Sequence, residues 1–75
     1  MKKNTSHKKL EKLGDRIRQD RNEKKLSQEE MADLCGFDRT YISLVERGKR
    51  NLSFSNLCVF ADSLNVSLSD LLKDI

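Results

Sequence analysis

Leu10, Leu13 and Ile17 recur at helical spacing among lysines and arginines, so residues 9–24 read as an amphipathic helix. Gly14 inside it costs about 1 kcal/mol relative to alanine. Asn22-Glu23-Lys24-Lys25 is a polar exit, after which Leu26 returns to the apolar side. Ser27-Gln28-Glu29-Glu30 has the spacing of a capping box, in which the serine hydroxyl accepts from the Glu30 N–H and the Glu30 carboxylate reaches back to the Ser27 N–H. Met31, Leu34 and Cys35 follow at i, i+3 and i+4, predicting a second helix over 28–35 with those three residues as its inward stripe. Gly36 ends that helix as a left-handed residue does. Phe37 is an apolar plug. Asp38 suits the N-cap of a third helix over 39–47, with Ile42 and Val45 inward. Gly48 stops it, and Lys49-Arg50-Asn51 forms a basic loop. Leu52, Phe54, Leu57, Phe60, Ala61 and Leu64 mark a fourth helix capped by Ser53 or Ser55. Asn65-Val66 is a turn, Ser67-Leu68-Ser69-Asp70 is a second box-like start, and Leu68, Leu71 and Leu72 make a short fifth helix. No stretch alternates like a strand. The expected class is all-α, with a disordered basic tail over 1–8 and one folded domain over 9–75.

Composition narrows the classes. The chain has 75 residues, 15 Lys/Arg against 12 Asp/Glu, no proline and three glycines. One small domain fits that length, and so small a core gains from association. The longest strictly apolar run, 57–61, is far short of the roughly twenty residues a membrane helix needs. The basic start is followed by no apolar stretch, unlike a secretory signal. Two cysteines, Cys35 and Cys58, make no disulfide framework, so a reduced cytoplasmic protein is expected. The charge is uneven: residues 1–50 hold 14 Lys/Arg against nine Asp/Glu, or +5, and residues 51–75 one lysine against three aspartates, or −2. An anion is therefore expected to face the first two thirds of the chain.

An eight-residue helix, a glycine, and a second helix three residues later make a helix-turn-helix corner. Its second helix is able to enter a major groove. Many all-α domains contain such a corner, so the outward face of the third helix carries the weight. Arg39 and Thr40 lie in its first turn, and Ser43 follows on the same side. Arginine offers two parallel N–H groups to guanine O6 and N7, while Thr and Ser bond base edges or pack on a thymine methyl. Leu44 either packs on a thymine methyl or forms a rim of the core. Tyr41 either lies along the sugar-phosphate backbone with its hydroxyl on a phosphate or packs against the first helix.

The run LSQEEMADLCGFDRTYISLVERGKRNLS, followed by LCVFADSLNVSLSDLL, resembles the lambda-repressor-like, Cro/repressor-type (Xre) helix-turn-helix family over residues 9–75. The resemblance implies a five-helix domain that binds operator DNA as a homodimer. It also implies that Gln28 contacts a phosphate and braces the recognition helix, and that Arg39, Thr40 and Ser43 read bases. Lys49, Arg50 and Asn51 fall in a phosphate-holding loop, and Arg21 and Glu46 match a partly buried structural salt bridge. Relatives often carry glutamine where this chain has Arg39-Thr40, which points to a different operator with guanine opposite Arg39. The short body, with RTYIS and ERGKRN, is similar to controller proteins of restriction-modification systems, regulators that act on their own synthesis by concentration. A phage Cro-type repressor is the near alternative, and a small antitoxin or other protein-interaction module on the same fold is the rival class.

The charge-poor C-terminal third offers Val66, Leu68, Leu72 and Ile75 as a dimer surface, since one short helix cannot bury so much apolar area alone. Glu29 and Asp33, at i and i+4, match positions of an activating acidic patch that touches RNA polymerase in a relative; the alternative is a solvated helix face. No cofactor, metal, membrane or small-molecule ligand is expected. One histidine, His7, and two cysteines cannot close a four-ligand zinc site within one chain. No nucleophile–base arrangement is present, so an enzyme is not expected.

Overall fold

The computed structural model describes residues 2–75, with side chains from His7 onward. Its elements are α1 (Lys2–Glu23), α2 (Gln28–Cys35), α3 (Arg39–Glu46), α4 (Phe54–Leu64) and α5 (Leu68–Leu71), with no strand among the described residues. The all-α, five-helix expectation holds, and α2 keeps its expected bounds. At about 1.5 Å per residue, 22 residues make α1 about 33 Å long. The longest molecular dimension is 36 Å, so α1 runs the length of the molecule.

Each short helix is defined by its own ends. The Ser27 hydroxyl accepts from the Glu30 N–H at 3.0 Å and the Glu30 carboxylate accepts from the Ser27 N–H at 2.8 Å, completing the capping box. Gly36 closes α2 with φ of 73°, its N–H donating to the Asp33 carbonyl and that of Phe37 to the Ala32 carbonyl. That double bond is the Schellman closure, which needs a residue tolerant of left-handed backbone. Asn65, at φ of 57°, closes α4 in the same way. Ser53, not Ser55, caps α4, and Ser67 caps α5 through the Asp70 N–H.

Ile17, Met31, Ile42, Val45, Phe60, Leu64 and Leu71 form the fully buried centre, so all five helices contribute. Gly14 is where α1 lies on the end of α3. A Cβ there would stand 2.6 Å from the Glu46 carbonyl oxygen and closer still to that of Val45. Gly14→Ala is therefore expected to destabilise the fold by about 1–3 kcal/mol through overpacking, despite alanine's better helix propensity. A urea melt measures it; an unchanged or raised midpoint would remove this reading of the contact.

Several expectations are corrected. The segment expected as a tail over 1–8 is helical from Lys2, so α1 starts seven residues earlier than residue 9; Met1 lies outside the described residues. Nothing before Gly14 breaks a helix, and the His7 imidazole stands 3.3 Å from the Glu11 carboxylate one turn on. Leu34 is not part of the α2 stripe: it is 59% exposed, and Ala32 is buried beside Met31. The inward face runs 28, 31, 32 and 35, and its polar start and small alanine hide the phase that the larger Leu34 suggests. Phe54, expected inward, is 70% exposed, because the α4 core face is 57, 60, 61 and 64. Asp38 holds the N-cap position of α3, but its side chain makes no capping hydrogen bond. The helix ends at Glu46, with Arg47 as its cap residue.

Candidate nucleic-acid interface

The corner between α2 and α3 sets α3 across the molecule with Ile42, Val45 and Glu46 inward. At about 100° per residue, the remaining positions 39, 40, 43, 44 and 47 span roughly 140° of the opposite side. Arg39 and Thr40 are exposed, and Ser43 and Leu44 half-buried with their edges accessible. Arg39 makes no ion pair or side-chain hydrogen bond among the described residues. Its guanidinium is therefore free at the open end of the helix. Leu44 is half-buried, does not join the residues packed against the core cluster, and presents an edge outward. Arg47 also lies on this face, exposed, with only a 3.4 Å bond from Nε to the Ser43 carbonyl. Sequence reasoning missed it, although its position four after Ser43 was the available signal.

The inner side of α3 is held by one polar unit. Arg21 Nε donates to Glu46 Oε2 at 2.6 Å and Nη2 donates to Oε1 at 2.9 Å, while Nη1 donates to the Leu26 carbonyl at 2.8 Å. Gln28 Nε2 donates to the same Glu46 Oε1 at 3.1 Å. The pair is buried, and the hydrogen bond to Glu46 pushes the Arg21 guanidinium above its usual value against the opposing effect of desolvation. α1, the start of α2 and the end of α3 thus meet at a single carboxylate. One N–H of the Gln28 amide is spent on Glu46, which leaves its second N–H and the backbone N–H of Gln28 for an outside acceptor. The first N–H groups of a helix have no intrahelical acceptor and suit an anion.

Tyr41 does not pack against the first helix with its hydroxyl in water, one of the two expected alternatives. Its ring packs on α4 and the corner, 5.0 Å from Phe37 and 6.3 Å from Phe60 between centroids. Its hydroxyl accepts from Asn56 Nδ2 at 3.0 Å, which leaves its own proton available to donate. The Arg50 guanidinium carbon stands 5.4 Å from the ring centroid, a cation–π geometry that holds the loop side chain against α3. Lys49, Arg50 and Asn51 are exposed beside the end of α3. The Lys49 N–H already donates to the Leu44 carbonyl at 2.9 Å, so Lys49 has only its side chain to give a phosphate.

Of the C-terminal apolar residues, Val66, Leu68 and Ile75 are half-buried and Leu72 is 38% exposed. Phe54 is more exposed than any of them and was not among the expected surface residues. Glu29 and Asp33 are both exposed on the outer side of α2. Cys35 and Cys58 are free thiols, and burial pushes Cys35 above its usual value, partly offset by the nearby Ser63 side chain. No helix among the described residues is long and apolar enough to cross a membrane.

A family model described as helix-turn-helix matches residues 17–71, which takes in the corner, the buried pair and α4. The chain belongs to the helix-turn-helix family. Within it, the control protein C.SmaI of Serratia marcescens is 45% identical over 60 residues, covering 80% of this chain and 71% of that protein. The restriction-modification controller protein C.AhdI from Aeromonas hydrophila has a crystal structure with a TM-score of 0.80 at 45% identity, covering 83% of this chain and 94% of that one. A tetramer of the controller C.Esp1396I, solved with its natural 35 base-pair operator, superposes with a TM-score of 0.78 at 37% identity over 85% of this chain and 88% of that one. The resemblance read from the residues is thus shown, including its similarity to restriction-modification controllers.

Proposed function

We propose that this protein is a transcription regulator of the restriction-modification controller type, binding a pseudo-palindromic DNA operator as a homodimer. The observation that carries this reading is the unpaired, exposed first turn of α3, Arg39 and Thr40, mounted on the buried Arg21–Glu46–Gln28 unit. A free guanidinium on a rigid base is what two-point reading of a guanine edge requires. Thr40 and Ser43 supply neighbouring contacts, with Leu44 at their edge for a thymine methyl. Around them, the Gln28 N–H, the Tyr41 hydroxyl, Lys49, Arg50 and Asn51 form a rim of phosphate donors, and Arg47 extends it.

Magnitudes require two subunits. Base contacts discriminate by about 1–3 kcal/mol each, too little for one α3 to find a single site in a genome. A dimer doubles the reading and spaces the two recognition helices about 34 Å apart, one turn of DNA. Its surface is the C-terminal set Val66, Leu68, Leu72 and Ile75, to which the exposed Phe54 adds area. Occupancy then follows protein concentration through the dimer equilibrium.

Roughly eight phosphates neutralised per dimer give a slope of about −0.9 for each in a plot of log affinity against log salt. Titrating labelled duplex DNA at several salt concentrations tests this. A slope near −7 supports the proposal, and a flat dependence contradicts it.

The outer side of α2 supports a second role. Glu29 and Asp33 are exposed one turn apart and pair with no cation among the described residues, so they are available to a basic surface of RNA polymerase. The double variant Glu29→Lys/Asp33→Lys is expected to bind DNA within about threefold of the parent, as surface changes do, while losing transcriptional activation. Activation that survived in a reporter assay, with DNA binding intact, would rule the role out.

A further inference from the structure

Two hydrogen bonds join residues more than fifty positions apart and lie away from the DNA face. Arg16, half-buried on α1, donates from Nη1 to the Asp70 carbonyl at 2.6 Å and from Nη2 to the Lys73 carbonyl at 3.0 Å. α5 is a four-residue helix, and the carbonyls at its end lack intrahelical donors. The local alternative for the Asp70 carbonyl is the Lys73 N–H at a long 3.4 Å. Asp74 holds φ of 65° without being a glycine, and within the turn the Ile75 N–H donates to the Leu72 carbonyl at 3.0 Å, so Arg16 adds a long-range tie to a turn closed by short-range bonds. Asp20 offers a carboxylate one helical turn from Arg16, yet the guanidinium goes to the Asp70 carbonyl in α5 and the Lys73 carbonyl just after it.

The turn held in this way carries Leu72 and Ile75. Five residues along the same α1, Arg21 holds Glu46 at the end of α3. Five helical residues are about 7.5 Å of stiff rod. α1 is therefore a strut, clamped to the recognition helix by one arginine and to the C-terminal turn by another.

We propose that Arg16 is a positioning residue for the dimer, setting the angle between the Leu72/Ile75 surface and α3 and so the half-site spacing that the dimer accepts. The proposal rests on the C-terminal dimer surface given above. The lever is long: α3 lies about 17 Å from the two-fold axis when the helices are about 34 Å apart. A tilt of about 10° at the turn then moves α3 by about 3 Å, close to one base-pair rise, so a loose turn blurs the spacing.

The test uses the full chain and the duplex that the wild-type protein selects from a random pool. Binding is measured on that duplex, on versions with one base pair added or removed between the half-sites, and on a single half-site. Protein is kept well above the dimer dissociation constant. Arg16→Lys keeps the charge and the helix propensity but replaces the planar two-nitrogen fork with a single ammonium on a flexible stem; Arg16→Gln removes the charge as well. Wild type is expected to prefer its own spacing by about tenfold or more, the loss of one mismatched contact or so. Both variants should fall below about threefold while binding the single half-site as wild type does. If Arg16→Gln fails to fold, the Arg16→Lys result decides. Variants that keep the full spacing preference overturn the proposal. Leu72→Glu separates the two ideas by sedimentation: if it stays dimeric, the C-terminal surface itself is wrong, and if it becomes monomeric while the Arg16 variants keep their spacing preference, only the role of Arg16 falls.

Discussion

Glu46→Ala is expected to cost about 3–5 kcal/mol, a large share of the domain's stability, and to lower the urea midpoint accordingly. The whole stability of a 75-residue domain is about 4–11 kcal/mol at 0.05–0.15 kcal/mol per residue. The substitution strands the Arg21 guanidinium in a buried site where Nε and Nη2 lose their acceptor. It also takes the acceptor from Gln28 Nε2. Breaking one side of a buried pair costs far more than replacing both sides with apolar residues of similar shape. The double variant Arg21→Met/Glu46→Leu is therefore expected to unfold within about 2 kcal/mol of the parent in urea. A single variant as stable as the parent would show that the pair does not hold α3 to α1 and α2.

Arg39→Ala is expected to act on recognition and leave the fold alone. The side chain is exposed and unpaired among the described residues, so stability should change by no more than about 0.5 kcal/mol. Each half-site loses about 1–3 kcal/mol of discrimination at the base opposite residue 39, and a dimer loses it twice. Binding to the specific duplex should drop by about 30-fold or more, with tolerance of any base at that position. Binding to random duplex should change little. Arg50→Ala makes the contrast, since it weakens all sequences alike and lowers the salt slope by about one unit per contact. Equal losses for Arg39→Ala on specific and random duplexes would reassign Arg39 to a phosphate.

What was legible in the sequence was local. The box Ser27-Gln28-Glu29-Glu30 and the closing Gly36 are set by residues three or four apart, and both ends of α2 stand where they were expected. The α3 face was legible because a steady 100° step needs no knowledge of neighbours. Leu34 and Phe54 were misplaced because the phase of a stripe depends on what a helix packs against. Ala32 gives a weak hydrophobic signal and Gln28 none, although Ala32 is buried and Gln28 reaches Glu46 on α3. The Arg21–Glu46 pair came only through the family resemblance; its partners are 25 residues apart. Tyr41 found Asn56, fifteen residues away, as its partner, and Arg16 reaches backbone carbonyls, which every residue carries and no pattern marks.

The central claim is that the outward edge of α3 reads a two-fold duplex sequence. Selection of bound duplexes from a random pool by the full-length protein tests it most directly. The expected result is an enriched pseudo-palindrome, its half-sites about one helical turn apart, with a guanine in each that Arg39→Ala no longer enriches. A bound pool as random as the input, or a motif unchanged by Arg39→Ala, would contradict it.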